Sequence, residues 1–262
     1  MGKHKRNLFK KMYLATRHAL LKFYMSVNYS SKVFNIDNNA KCLCLAPHQD
    51  DETIGMGGTL AKHAGNFEVI CLTNGAKGFA DAKRLANVDA QRDEVLNIRQ
   101  KEFADAMNIA GIKNFKILDI EDRSLAFGYN EFVKNINFNE FDFVFIPNII
   151  DQHKDHKAVT YLLYKYLTEN EVTKDFKICF YEVWSALGMV NSSIDITDFV
   201  ETKIKMLEAY PSQTTYRPYT DAAIGLNKYR GLANNKKYAE AFLILSQAEF
   251  LKLVEEIYPL IK

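Results

Sequence analysis

Two short polar segments carry residue types suited to metal chemistry. Residues 47–52 (PHQDDE) directly follow the apolar run 41–46, and residues 151–156 (DQHKDH) come soon after the apolar run 141–147. A catalytic zinc ion takes three protein ligands from His, Asp, Glu or Cys and leaves a fourth position for water. Aspartate and glutamate are almost never fully buried without a partner, so these clusters are hard to explain as core. Together the two segments predict a metal site.

The spacing within each segment suggests separate roles. His48 and Asp51 are close enough in one turn to bind the same ion. His153 and His156 are three apart at a predicted helix start and so share one face, which lets one bind the metal while the other reaches a substrate. Asp50 neighbours a ligand but points elsewhere, as a base would. The alternatives are a solvated pair of histidines and carboxylates that only complement a helix dipole.

The surrounding elements predict where these segments meet. Strand-like runs alternate with helical patterns. The strands are 41–46, 67–72, 115–120, 141–147 and 176–183, and the helices are around 59–63, over 88–110 and over 153–167, with a glycine-rich turn before the first helix. This order predicts an α/β fold, a mostly parallel sheet with helices on both faces. Ligands of such sheets bind beyond the carboxyl ends of the strands, where both polar segments are expected.

The composition is that of an ordinary globular chain. Hydrophobic residues make up 48% of the 262 positions and charged residues 25%, which excludes a disordered or collagen-like protein. No apolar run approaches the roughly 20 residues of a membrane span. Four cysteines occur in apolar segments without a C-x-x-C pair: Cys42, Cys44, Cys71 and Cys179. They predict reduced core thiols in a cytoplasmic protein.

Charge is distributed unevenly along the chain. Residues 1–32 contain eight basic and no acidic side chains, whereas residues 33–262 hold 26 basic and 32 acidic ones, a net charge of −6. The acidic body argues against nucleic-acid binding. We expect a basic amphipathic N-terminal helix, the arm 1–32, before a single domain 33–262. The arm could lie on an anionic membrane, dock on the acidic body, or bind a partner.

Residues 46–52 (APHQDDE), followed by the glycine-rich 55–58, resemble the His-Pro-Asp-Asp-Glu signature of the PIG-L (LmbE-like) zinc-dependent N-acetylglucosaminyl deacetylase family. Residues 153–156 (HKDH) resemble its second signature, His-Pro-Asp-His. Gln49 and Lys154 stand where the family usually has proline, a change that bears on loop stiffness and not on metal ligands. Further similarity lies in 72–78, 99–102, 181–184, 212–213 and 238–242.

The resemblance implies a Rossmann-like (LmbE-like) fold and a set of roles. His48, Asp51 and His156 would bind Zn²⁺, or Fe²⁺, since these ligands suit both metals. Asp50 would be the general base. His153 would stabilise the oxyanion or protonate the leaving amine.

Other residues would support this centre. Asp155 would orient His153 and tune its charge. Candidate substrate contacts lie after strands or on the long helix: Thr73, Asn74, Lys77, Arg99 and Glu182. For Arg99 the alternative is an ion pair with Glu102, one helical turn away.

The implied reaction is removal of an N-acetyl group from an N-acetylglucosamine-type sugar. The acceptor could be lipid- or nucleotide-linked in surface polysaccharide biosynthesis, where the basic arm would meet the inner face of the plasma membrane. Alternatives are a small soluble conjugate, such as a GlcNAc-malate or GlcNAc-inositol thiol precursor, and a non-catalytic module recruited to membranes. The expected partner is an amino sugar and not a nucleic acid; the oligomeric state is left open.

Overall fold

Residues 32–78 and 92–257 are described in a computed structural model of the chain, and within them one sheet organises the fold. Its strands are β1 Lys32–Val33, β2 Cys42–Ala46, β3 Phe67–Thr73, β4 Asn114–Ile120, β5 Phe143–Pro147, β6 Lys177–Tyr181, β7 Ser192–Asp195 and β8 Ala239–Leu245. The spatial order is β1-β7-β8-β6-β5-β2-β3-β4. Strand β8 runs antiparallel to both of its neighbours, and every other pairing is parallel.

Helices connect most of these strands. They are α1 Asp51–Lys62, α2 Arg92–Ala110, α3 Tyr129–Asn135, α4 Lys154–Glu169, α5 Val200–Glu208, α6 Pro211–Thr214, α7 Tyr219–Leu232 and α8 Gln247–Ile257. None of the helices in the described part of the chain is long and apolar enough to cross a bilayer.

Side chains of the sheet point alternately into two cores. In β2, Leu43 and Leu45 join one core, which α3, α4 and α8 cover. Cys42 and Cys44 join the other, which α1, α2 and α5 cover. Successive residues of a strand face opposite sides, so a strand buried on both faces is apolar throughout. The predicted α/β class, with helices on both faces of a mostly parallel sheet, is confirmed.

The first helix differs from its prediction. We expected a glycine-rich turn and then a helix around 59–63, but α1 begins at Asp51 and contains the glycines, with a kink at Met56 (φ −147°). A Cβ on Gly55 would lie 2.3 Å from Cδ2 of Tyr181 and 2.8 Å from the carbonyl oxygen of Glu182. Close packing of the helix against the end of β6 therefore requires glycine there, and the glycine pattern does not mark a turn.

Other boundaries shift only slightly. Helix α2 ends at Ala110, and Gly111 follows with φ +79°, the left-handed conformation that a C-terminal glycine supplies. All four cysteines are buried and free, as expected. The first residues of the predicted helix 88–110 fall in the range 79–91, which lies outside the described residues, and so does the arm 1–32 except for Lys32. The division into arm and domain stays a prediction.

Candidate metal centre and active-site cleft

Strand pairing brings the two polar segments together. Strands β2 and β5 are direct parallel neighbours, with Cys42 beside Phe143 and Cys44 beside Phe145. Their carboxyl ends therefore open at the same edge of the sheet, and the segment after each strand turns there into a helix, α1 or α4. This edge is the usual ligand site of an open α/β sheet.

One carboxylate oxygen joins the two segments. Asp51 Oδ2 lies 3.1 Å from His48 Nδ1 and 3.1 Å from His156 Nε2. The ring centroids of His48 and His156 are 5.6 Å apart. The ring of His153 is 4.7 Å from that of His48 and 5.0 Å from that of His156. Three imidazoles and a carboxylate, from the two segments 47–52 and 151–156, thus lie within a few ångströms of one another.

The residues fit a divalent metal ion. His156 is fully buried, yet among the described residues neither of its ring nitrogens makes a hydrogen bond. Asp51 Oδ2 and Asp151 Oδ1 lie 3.1 Å and 3.3 Å away without the alignment that a hydrogen bond needs. Buried polar nitrogens are normally satisfied. Two imidazoles and a carboxylate are also a donor set that zinc accepts.

Two more carboxylates hold the far side of the His48 ring. His48 Nε2 lies 3.1 Å from Asp155 Oδ2 and 3.2 Å from Asp122 Oδ1. Asp155 also accepts the backbone N–H groups of Arg123 and Leu125, at 2.8 Å and 3.3 Å. A carboxylate on the second ring nitrogen is the common way to orient a metal-binding histidine. Asp122 was not predicted; the available signal was an acidic residue just after a strand.

Asp155 contacts His153 through its main chain, and its charge acts to raise the pKa of that imidazole, which burial lowers. Its carboxylate points to His48, and its backbone N–H donates to His153 Nδ1 at 3.2 Å. A backbone N–H can only donate, so Nδ1 is the acceptor and a neutral His153 carries its proton on Nε2. Asp155 therefore positions His153 through the main chain.

Asp50 has a strained backbone conformation beside His48 and Asp51, two of the candidate metal ligands. Its φ is +123°, which a residue with a side chain rarely adopts. Its carboxylate is 3.4 Å from the Arg99 guanidinium, and its backbone N–H donates to Glu52 Oε2 at 3.2 Å. Burial raises the pKa of Asp50 to about 7, against the opposing charge of Arg99. The group is thus poised to exchange a proton near neutral pH.

The ligand cluster holds charge of both signs. Although burial opposes it, Asp51 and Asp151 raise the pKa of His156 to about 9. Burial likewise opposes the lowered pKa of Asp51, which His156 and His48 cause. For His153, burial and the neighbouring imidazoles lower the pKa. The carboxylates of Asp51 and Asp151 therefore favour a positive charge between the histidines, and a metal cation would supply it.

Arg99 braces the loop that carries Asp50. Its buried guanidinium lies between Asp50 and Glu102, 3.4 Å from each, and also donates to the carbonyl oxygen of Gln49. The ring of Tyr210 lies beneath it, with the guanidinium carbon 5.8 Å from the centroid. The helical ion pair and the contact with the site, which the sequence offered as alternatives, are both present.

The predicted substrate contacts divide into two groups. Lys77 and Arg99 line the same cleft as His48 and Asp51. Thr73 instead donates to the carbonyl oxygen of Pro47 at 2.8 Å, and Asn74 donates to Asp119 at 3.0 Å. Glu182 pairs with Arg230. Internal hydrogen bonds or ion pairs hold the side chains of Thr73, Asn74 and Glu182, and none of the three lines this cleft, so their role as substrate contacts stays a prediction.

The cleft itself has a volume of about 550 Å³. Beyond the residues above, its walls are formed by Gly78, Asp122, Arg123, Gln152, Trp184, Gln213, Arg217 and Tyr219. Trp184 and Tyr219 meet edge to face, with centroids 5.1 Å apart. Fold and site together define an α/β protein with a His–Asp–His cluster in an open cleft.

Comparison with known proteins finds a family match over part of the chain. Residues 43–167 match the PIG-L family, described as GlcNAc-PI de-N-acetylase. A "Probable N-acetyl-alpha-D-glucosaminyl L-malate deacetylase 2" of Bacillus anthracis is 27% identical over 192 residues, which cover 67% of this chain and 82% of that protein. Its Bacillus cereus namesake is 33% identical over 91 residues, 35% of this chain and only 41% of that relative. The PIG-L match thus spans both polar segments, as their resemblance to the two signatures of that family predicts.

Solved structures agree on the fold. The N,N'-diacetylchitobiose deacetylase of Pyrococcus horikoshii superposes with a TM-score of 0.67 at 23% identity, covering 85% of this chain and 89% of that one. A 4-carboxy-2-hydroxymuconate hydratase, GalB of Pseudomonas putida, gives 0.60 at 20% identity, covering 78% and 96%. Since the fold occurs with different reactions, function must be argued from the site.

Proposed function

We propose that this chain is a metal-dependent N-deacetylase that hydrolyses the acetamide of an N-acetylglucosamine-type sugar. One observation carries the proposal: a single oxygen of Asp51 lies within 3.1 Å of both His48 and His156. Asp50 and His153 border the same cleft. The names of the Bacillus and Pyrococcus proteins support the sugar substrate.

The metal would be held by His48, Asp51 and His156. Zinc is our proposed ion, with Fe²⁺ as the alternative that the same ligands accept. When bound, the ion supplies Lewis acidity, which polarises the acetamide carbonyl and makes water a better nucleophile at neutral pH.

Asp50 would handle the proton of the attacking water. Its carboxylate accepts that proton as the oxygen of water bonds to the acetamide carbon. The nitrogen must gain a proton before the carbon–nitrogen bond breaks, and the newly protonated Asp50 holds one. General acid–base catalysis of this kind is worth about 10² to 10⁴ in rate.

His153 would stabilise the charge that develops on the acetamide oxygen. Its Nδ1 accepts the backbone N–H of Asp155, which leaves a proton on Nε2 for donation into the cleft. A fixed donor aimed at a developing oxyanion contributes about 10² to 10³ in rate. Among the two roles that the resemblance left open, this hydrogen bond favours oxyanion stabilisation.

The roles separate in two variants. Asp50→Asn should keep its metal and lose at least about 100-fold in acetate release, because only the proton acceptor is removed. His156→Ala should lose the metal itself. The readouts are metal content by elemental analysis and acetate release from N-acetylglucosamine conjugates. Lys154→Ala, an exposed change in the first turn of α4, the helix that also carries His156, is the control. A fully active Asp50→Asn would reject the assigned base.

The substrate proposal has two branches. A lipid- or nucleotide-linked amino sugar fits a basic arm that approaches an anionic membrane, and a small soluble conjugate fits the Bacillus relatives. A panel of both kinds of conjugate, tested with metal-loaded protein, separates them. Failure to bind metal and to release acetate from any conjugate would instead favour a non-catalytic binding module.

A further inference from the structure

We propose that the cleft selects amino-sugar substrates that carry an anionic group, which Arg123 and Arg217 bind at its rim. The inference rests on the proposed deacetylase function and adds the charge class of the substrate. Both arginines are exposed and line the cleft that contains the metal ligands.

Arg123 is tied to the metal centre by its backbone. Its φ is +69°, in the left-handed region that residues with side chains rarely occupy. Its N–H donates to Asp155 Oδ2 at 2.8 Å, and that oxygen also lies 3.1 Å from His48 Nε2. The guanidinium therefore starts from a point fixed relative to the ligand His48. A solvated surface arginine would need no such anchor.

The two guanidiniums differ from the other cations of the cleft. Lys77 lies 2.5 Å from Glu121, and Arg99 lies between Asp50 and Glu102. In the described part of the chain neither Arg123 nor Arg217 has a carboxylate within 4.0 Å. Arg217 donates to the hydroxyl of Tyr219 at 3.3 Å. Two positive charges at the rim thus lack an internal counter-ion.

The distribution of charge in the cleft predicts the position of the anion. On the floor, Asp50, Asp51 and Asp122 already lie against Arg99, His48 and His156, so these side-chain cations are not free to pair with a substrate anion. The neutral acetamide can approach the floor, and an anionic substituent elsewhere on the substrate would reach Arg123 and Arg217. A guanidinium binds phosphate and carboxylate through paired hydrogen bonds, so the shared chemistry is an oxyanion.

Matched substrates test this preference. Acetate release is measured with methyl N-acetylglucosaminide, which is neutral, N-acetylglucosamine 1-phosphate, and N-acetylglucosaminyl malate. We expect the metal-loaded enzyme to favour at least one anionic conjugate about tenfold or more in kcat/KM at low salt, and this preference should shrink as salt screens exposed charges. The phosphate and malate arms distinguish the two sources of the oxyanion.

Variants assign the preference to residues. Arg123→Gln and Arg217→Gln should each raise KM for the favoured anionic conjugate about tenfold while leaving the neutral one unchanged. Lys101→Gln is the control: it removes the same charge from α2, on a side chain that is 77% exposed, ion-paired with Asp105 and not part of the cleft wall. It should change neither substrate.

Several outcomes would overturn the inference. Equal kcat/KM for neutral and anionic conjugates, or equal losses on both in the arginine variants, contradicts it while leaving the deacetylase function intact. Absence of hydrolysis with every conjugate contradicts the proposed function instead. In that case the inference is tested by binding alone. Calorimetry measures the affinity of the Asp50→Asn protein for N-acetylglucosamine 1-phosphate, for the malate conjugate and for the neutral methyl glycoside. Binding no tighter than that of the methyl glycoside, or unchanged in the arginine variants, overturns it.

Discussion

Asp50 has a backbone conformation that neighbouring side chains must maintain. Its N–H donates to Glu52 Oε2, while Tyr210 and Thr53 donate to Oε1 of the same carboxylate at 2.6 Å and 2.7 Å. Glu52 is fully buried, and burial raises its pKa. Strain next to a site persists where surrounding contacts over-determine it. Here a buried hydrogen-bonded carboxylate lies directly behind the proposed base.

Tyr210→Phe tests how much the hydrogen bonds to the Glu52 carboxylate stabilise the protein. Loss of the hydroxyl leaves the buried Glu52 carboxylate short of a donor, and we expect the free energy of unfolding to fall by about 1–3 kcal/mol. Urea denaturation measures it. Tyr166→Phe is the control, since no hydrogen bond of its hydroxyl to a described residue is found and the change should stay within about 0.5 kcal/mol. Equal effects of the two changes would contradict the network.

Gln49 shows how a loop can be held without the proline of the family signature. Its side-chain amide donates to the carbonyl oxygen of Thr73 at 3.3 Å, and its own carbonyl accepts from Arg99. Gly75, with φ +70°, packs so closely that an added Cβ would lie 2.1 Å from Gln49 Oε1. Hydrogen bonds and close packing replace the stiffness of a pyrrolidine ring.

Gly75→Ala should therefore destabilise the protein. The strained φ and the displaced Gln49 side chain should together lower the free energy of unfolding by about 1–3 kcal/mol. Gly65→Ala is the matched control, because a Cβ there meets nothing within 4 Å. Denaturant unfolding measures the stability of both variants. A Gly75→Ala protein as stable as the wild type would contradict the claim that a side chain at this position is strained.

Helix α1 depends on a brace from distant elements. After its kink at Met56, the N–H groups of Gly58 and Thr59 donate to the Glu240 carboxylate of β8, at 2.9 Å and 2.7 Å. Lys203 of α5 is fully buried and donates to Glu240 Oε1 at 2.6 Å and to the carbonyl oxygen of Ile54 at 2.9 Å. The helix that presents Asp51 is thus fixed from both β8 and α5.

Glu240→Gln should break this brace. The change leaves the Lys203 ammonium buried without its counter-ion, and loss of one partner of a buried ion pair costs about 3–5 kcal/mol. Asp105→Asn in the exposed pair with Lys101 is the control, with an expected loss under about 1 kcal/mol. Urea unfolding compares the two. A loss in Glu240→Gln as small as in the control would show that the pair does not stabilise the helix.

At the scale of the whole molecule, metal binding should couple to stability. A ligand that binds only the folded state raises the free energy of unfolding by RT ln(1 + [L]/Kd), where [L] is the concentration of free ligand. The increase is about 2.7 kcal/mol when [L] is a hundred times Kd. We expect zinc to raise the thermal midpoint of the wild type and of Asp50→Asn, and a chelator to reverse the rise. His156→Ala should not respond; an equal shift in that variant would place the metal elsewhere.

The basic arm gives a second prediction at this scale. Without residues 1–32 the remaining chain has a net charge of −6, so the attraction to an anionic bilayer should disappear. We expect deletion of 1–32 to abolish sedimentation with phosphatidylserine vesicles while acetate release from soluble conjugates persists. Undiminished vesicle binding after the deletion would remove the arm from any membrane role.

Sequence reasoning reached the elements and the two polar segments because both signals are local. Apolar runs predict β2, β3 and β5, and the polar residues follow β2 and β5 directly or within a few positions. Their meeting at one sheet edge follows from parallel pairing. The prediction of a glycine-rich turn was wrong. Gly55 lies within α1, and glycine is needed there because the helix packs against Tyr181, which is distant in the sequence.

Tertiary structure decided which groups touch. The contact of Asp155 with His48, the approach of Asp122 to the same ring, the meeting of Arg123 and Arg217 at one cleft and the pairing of Lys203 with Glu240 each join residues far apart in the chain. These contacts depend on strand order, helix kinks and side-chain rotamers, which no local pattern encodes. The amino-acid sequence alone thus determined the chemistry available at the edge of the sheet. Packing between distant elements determined how each donor and acceptor there is directed.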